Sequence, residues 1–117
     1  MKTKLSFFFS KVLPVLLWLV VIYFLSSLPG HAYPKEPQIF SWTAHLAEYF
    51  VLGYLLARMF GKKGAAAFLL ALAICLIYAA SDEWHQSFVP GRVMDIVDWM
   101  FDGVGGIVGI LGYYMRK

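Results

Sequence analysis

The amino-acid sequence predicts an all-α integral membrane protein of four transmembrane helices, and three observations carry that prediction. The 117 residues are 61% hydrophobic and only 15% charged, with a mean hydropathy of +0.69; a soluble domain of this size needs more charge to cover its surface. The apolar residues gather into four runs, each near the ~20 residues that cross the hydrocarbon core of a bilayer. The charges are segregated between the ends of those runs. With a cytoplasmic N-terminus, Lys2, Lys4, Lys11, Arg58, Lys62, Lys63, Arg116 and Lys117 collect on the cytoplasmic side, leaving Lys35 and Arg92 on the other. That is the bias positive charges follow in short loops, and it places both termini in the cytoplasm. All seven acids, Glu36, Glu48, Asp82, Glu83, Asp95, Asp98 and Asp102, then fall in the extracytoplasmic half.

The first run, residues 12–28, contains no Lys, Arg, Asp or Glu. Its Lys-rich approach and the following Gly30-His31-Ala32 have the look of a secretory signal cut before Tyr33, but the apolar stretch is long for a signal and is read as a span. A second span covers residues 40–60 and carries His45, Glu48 and Arg58, and a third covers 64–81 without charge. The fourth, 95–114, has Asp95, Asp98 and Asp102 in its first half and a glycine-rich second half. Between them stand turn formers: Pro29, Gly30, Pro34 and Pro37, then Gly61-Lys62-Lys63-Gly64, then Pro90-Gly91. Residues 1–117 are thus one membrane domain with no internal repeat. The single Cys75 lies mid-span and serves packing.

Chemistry concentrates between the third and fourth spans. The segment from Ser81 to Arg92 holds Asp82, Glu83, His85, Gln86 and Arg92, with Trp84 and Phe88 interleaved. It is expected to be a re-entrant or interfacial loop, tolerated where protein or water satisfies its backbone. In the fourth helix Asp95, Asp98 and Asp102 follow i, i+3, i+7 spacing and share one face with Gly106 and Gly109, with Gly105 on its flank. Carboxylates facing lipid cost roughly 2.5 to 3.5 kcal/mol each at mid-bilayer, so this face turns to protein or water; the glycines admit close helix approach. The second helix has a matching face of His45, Glu48, Tyr49, Leu52 and Gly53. Together these predict a polar pocket in the outer leaflet, walled by the second and fourth helices and lidded by residues 82–92. The plainer alternative is a structural network in which Arg92 pairs with Asp95 or Glu83 and His45 with Glu48. Against it, Arg92 and Lys35 cannot neutralise seven acids, so some carboxylates are protonated, hydrated or holding a cation.

Asp82-Glu83, Gln86, Phe88, Pro90, Arg92, Asp95 and Asp98, followed by Gly105 and Gly109, with His45 and Tyr49 upstream and Ser26-Ser27 and Pro29 after the first span, resemble the VanZ-like family of small bacterial membrane proteins. The resemblance implies a multi-spanning protein of the bacterial cytoplasmic membrane whose namesake lowers susceptibility to the glycopeptide antibiotic teicoplanin. Two positions depart from the family pattern: Ser41-Trp42 stand where Asp-Lys is frequent, and Asp102 where Asn is common. Both make this pocket more negative.

Two functions of different classes follow. In one, His45, Glu48, Tyr49, Asp82, Glu83, Gln86, Arg92, Asp95, Asp98 and Asp102 line a binding site for a membrane lipid or cell-envelope intermediate, with Arg92 on a phosphate and the acids placing a divalent cation. In the other, the protein is a membrane enzyme on an envelope lipid, with Glu83 or Asp98 as general base and His45 or His85 as acid. Carboxylates and imidazole admit Mg, Mn or Ca, or Zn or Fe if histidines converge, and no tight metal motif chooses among them. A proton-coupled transporter would need more than four short helices and hence an oligomer. Nucleic acid is not an expected partner despite a pI near 9.1, because the basic residues flank spans and serve topology.

Overall fold

A computed structural model describes residues 3–28, 39–61, 63–92 and 95–116. Gly30, His31 and Tyr33, with Lys35, Glu36 and the prolines at 29, 34 and 37, lie outside the described residues, as do Lys2, Lys62 and Lys117. The described residues are helical with no strand: α1 (Lys4–Ser26), α2 (Ile39–Phe60), α3 (Ala65–Gln86) and α4 (Ile96–Met115). Of these, α1, α3 and α4 are long and apolar enough to cross a membrane. At 22 residues α2 matches α3 in length, or about 33 Å, but its polar residues lower its hydropathy.

Helix α1 begins at Lys4, eight residues before the expected span, because Thr3 caps it by accepting the Ser6 amide at 3.0 Å and long Lys side chains tolerate the interface. Its course widens into a π-helical turn at Phe8–Val12 just before Pro14. Proline has no N–H to offer the carbonyl four residues back and its ring crowds that carbonyl. The carbonyl in question is that of Ser10, and Arg58 of α2 donates to it. A cation counted for topology thus also satisfies the backbone group that Pro14 leaves open.

The third helix runs to Gln86, not to residue 81. Ser81 to Gln86 is therefore the last turn and a half of α3, and the expected loop shrinks to a connection of successive tight turns over 87–92, closed by Ser87, Phe88, Val89 and Arg92 amides on carbonyls three or four residues back. No helix breaker occurs before Pro90, and the polar side chains of 82, 83 and 86 turn inward, where they are buried, so nothing forces the helix to end early.

Helices α2 and α4 start at the same end and run parallel, in contact at the backbone. A Cβ on Gly53 would strike the Gly106 carbonyl, one on Gly105 the Leu46 carbonyl, and one on Gly109 the Phe50 carbonyl. Only glycine permits this approach. Helices α1 and α3 pack around the pair, bolted by aromatic donors on main-chain carbonyls: Trp18 to Glu48 at 2.8 Å, Tyr78 to Leu19 at 2.6 Å and Trp99 to Leu76 at 3.1 Å. The core is built from Ile22, Tyr49, Leu52, Leu56, Ala71, Cys75, Ala79 and Ile110, and Cys75 fills the space above Gly106. Outward faces carry Leu17, Val20, Phe24, Leu69, Ile77 and Val104, an apolar exterior suited to lipid.

Candidate functional site

Three helix ends bring the polar residues together. On α2, His45 and Tyr49 are one turn apart and both buried; on α4, Asp98 and Asp102 are likewise one turn apart and buried; the last turns of α3 supply Asp82, Glu83 and Gln86, also buried. His45 Nδ1 lies 2.8 Å from Asp102 Oδ1, and His45 Nε2 lies 3.6 Å from Asp98 Oδ2. An ionised carboxylate only accepts hydrogen bonds, so beside an ionised Asp102 the Nδ1 carries a proton, and Nε2 is the ring nitrogen that faces Asp98. Tyr49 donates to Asp82 Oδ2 at 3.3 Å. Glu83 Oε1 accepts the Asp95 amide at 3.1 Å. With the Gln86 amide turned so that both its ends are satisfied, its nitrogen donates to Glu83 Oε2 at 3.2 Å and its oxygen accepts from Arg92 at 2.7 Å.

Several residues take places the sequence did not foretell. His45 pairs with α4 and not with Glu48 one turn along its own helix. Glu48 is half-buried at the edge of the cluster, within Coulombic range of His45, Asp82, Asp102 and Arg92, and its carbonyl takes the Trp18 indole. Asp95 is the N-cap of α4, its Oδ1 accepting the Val97 amide at 2.9 Å. Arg92 donates to the carbonyl of Leu28 at 3.1 Å, completing the end of α1, where unpaired carbonyls favour a cation. His85 lies on the α1 side of the acids, linked to Asp82 through Ser26. Its ring stacks on Tyr23, with centroids 4.3 Å apart, and its Nδ1 bonds the buried Ser26 hydroxyl at 2.8 Å, tying α3 to α1. Tyr23 went unnoticed in the sequence, where an aromatic residue in an apolar run carries no distinguishing signal.

Among the described residues, two sets of donor atoms are close enough to share an ion: His45, Glu83 and Asp98, and Asp82, Glu83 and Asp102, each with its atoms within 4.8 Å of one another. Beside them a groove of about 380 Å³ opens between α3 and α4, lined by Ala80, Glu83, Asp95, Ile96 and Trp99. Its walls are apolar and its polar end is Glu83 and Asp95.

A model of the VanZ/LLP1 family matches residues 8–117, nearly the whole chain. The chain belongs to the VanZ/LLP1 family. The match takes in α2, α3, α4 and all of α1 but its first turn, with every residue of the cluster, so the buried polar site is part of the family domain and not an appendage to it. No curated protein and no solved structure matches the chain significantly.

Proposed function

We propose that this VanZ-family protein crosses the bacterial cytoplasmic membrane four times with both termini inside, and that its polar cluster, in the extracytoplasmic half, binds the headgroup of a membrane lipid or cell-envelope intermediate. The observation that carries this reading is the groove between α3 and α4. Ala80, Ile96 and Trp99 offer an apolar bed for an acyl chain, and Glu83 and Asp95 meet whatever lies at its head. Glu83 belongs both to the groove and to the buried cluster, so a bound headgroup is sensed by His45, Asp98 and Asp102. The acids at the groove's end accept hydrogen bonds, which selects a headgroup bearing hydroxyl or amine donors. Arg92, spread over the α1 terminus and Gln86, holds the rim, and its guanidinium is the cation that meets a phosphate. Holding such a lipid changes what a glycopeptide meets at the membrane surface, the route by which a family member would lower teicoplanin susceptibility.

A second reading, an enzyme on an envelope lipid, is favoured by one feature: the Asp102–His45 dyad beside Glu83 and Asp98 has the arrangement of an oriented acid-base pair. His85, stacked on Tyr23, is not part of it. One experiment serves both. Protein purified with native lipid is analysed by mass spectrometry, and then incubated with envelope lipid extract. Binding predicts a lipid enriched at least several-fold over bulk and lost in Glu83→Gln. Conversion of that lipid, abolished by Glu83→Gln, would replace binding by catalysis; neither enrichment nor conversion would defeat both.

A further inference from the structure

Four carboxylates, Asp82, Glu83, Asp98 and Asp102, are buried in one cluster with His45. Burying a carboxylate costs several kcal/mol unless a counter-charge and hydrogen bonds accompany it, and even with His45 and Arg92 both charged the four keep an excess of negative charge. Two oxygens sharpen the point. Asp102 is fully buried, with 0% exposure, and Asp98 is 93% buried, at 7% exposure; yet Asp102 Oδ2 and Asp98 Oδ1 have no hydrogen-bond partner. Buried polar atoms are ordinarily satisfied, so these oxygens mark where something else belongs. The histidine points the same way. Its Nδ1 is held by Asp102, the arrangement in which a carboxylate orients a metal-binding imidazole from behind, while Nε2 faces Asp98 Oδ2 at 3.6 Å. That separation is long for a hydrogen bond and close to the roughly 3 to 3.5 Å between two ligands of one ion held at about 2.1 Å.

We propose that His45 Nε2, Glu83 and Asp98 hold a divalent transition-metal ion, with Asp102 as the residue that positions His45. One nitrogen and carboxylate oxygens suit Zn²⁺ or Mn²⁺ better than Ca²⁺ or Mg²⁺, which take oxygen alone. With two carboxylates the ion leaves the three-ligand set neutral. Three protein ligands leave at least one coordination position open, and Glu83 brings that position to the end of the α3–α4 groove. The neighbouring set of Asp82, Glu83 and Asp102, which shares Glu83, places harder oxygen donors beside the ion. The site stands on its own donor geometry, whether or not a lipid fills the groove.

The test uses the full chain in lipid nanodiscs, stripped with chelator and titrated with ZnCl₂ or MnCl₂ alone, without lipid extract. The wild type is expected to take up about one equivalent of Zn²⁺ or Mn²⁺, with a rise in Tm. Glu83→Gln and Asp98→Asn should each weaken binding at least tenfold, and Asp102→Asn by about 10- to 100-fold, as loss of an orienting partner does. Nitrogen-14 coupling in the Mn²⁺ electron paramagnetic resonance spectrum should be present in the wild type and absent in His45→Gln, which separates ligation from a structural role. Absence of both uptake and a Tm shift in the wild type, a Mn²⁺ spectrum without nitrogen coupling, or full-strength binding in the Glu83→Gln/Asp98→Asn double variant would overturn the proposal. The wild-type measurements decide even where a variant fails to fold.

Discussion

Helices α2 and α4 meet in two ways along one shared line. Near their N-termini, His45 reaches across to Asp98 and Asp102, and side chains hold the helices together around a charged centre. Deeper, at Gly53, Gly105, Gly106 and Gly109, the backbones themselves touch and no side chain intervenes. The difference teaches a division of labour. Close backbone packing gains dispersion contacts and costs no side-chain entropy, so the glycine seam anchors the pair. The carboxylate centre concentrates like charge, a local conflict of the kind that function explains and stability does not.

The contrast breaks most sharply at Gly109. A leucine there must displace the Phe50 carbonyl and the Tyr54 amide, both backbone, which the fold cannot yield cheaply. Gly109→Leu should cost about 3 kcal/mol or more, seen as a lost or greatly lowered unfolding transition in detergent. Gly112 is the control on the same helix: its Cβ would meet only ring atoms, of Phe50 at 3.6 Å and Tyr54 at 4.0 Å, so Gly112→Ala should change stability by no more than ~0.5 kcal/mol.

At the other end of the pair the expected pattern reverses. Asp98→Asn keeps the shape and removes one of four crowded carboxylates, so the metal-free protein should be unchanged or more stable by about 1 kcal/mol, while lipid enrichment falls. Equal losses of stability and binding would merge the two regions into one and remove the distinction.

A separate effect belongs to α1. Arg58→Met strands the Ser10 carbonyl that Pro14 leaves open, a cost of about 1 to 2 kcal/mol. Pro14→Ala restores an amide that can bond that carbonyl, so the double variant should recover most of the loss. A double-mutant cycle without coupling would detach Arg58 from the proline.

Where the sequence was readable, helical periodicity made it so. Three- and four-residue spacing put His45 with Tyr49 and Asp98 with Asp102 on faces that do turn inward, and the small residues following Asp102 announced close packing. What periodicity could not supply is the rotation and depth of one helix against another. Glu48, one turn from His45, was its partner in the plainer alternative, yet the parallel pairing of α2 and α4 puts Asp102 nearer. The polar stretch from Ser81 to Gln86 read as loop because inward-facing carboxylates on a buried helix are rare outside functional sites; local propensity had no objection to helix. Arg92 was read as a ligand-binding cation; that it also donates to the main-chain carbonyl of Leu28, just past the end of α1, could not be read, because main-chain partners leave no trace in a sequence. The π-helical turn before Pro14 follows from the proline's missing donor, but its rescue by Arg58 needed the packing of α1 on α2.

A structure determined in native lipid bears on all of this at once. The expected result is a lipid lying in the groove against Ala80, Ile96 and Trp99, with its polar head against Glu83 and Asp95, and His45 still held between Asp98 and Asp102. A groove closed by protein, or Asp98 and Asp102 turned to separate surfaces away from His45, would contradict it.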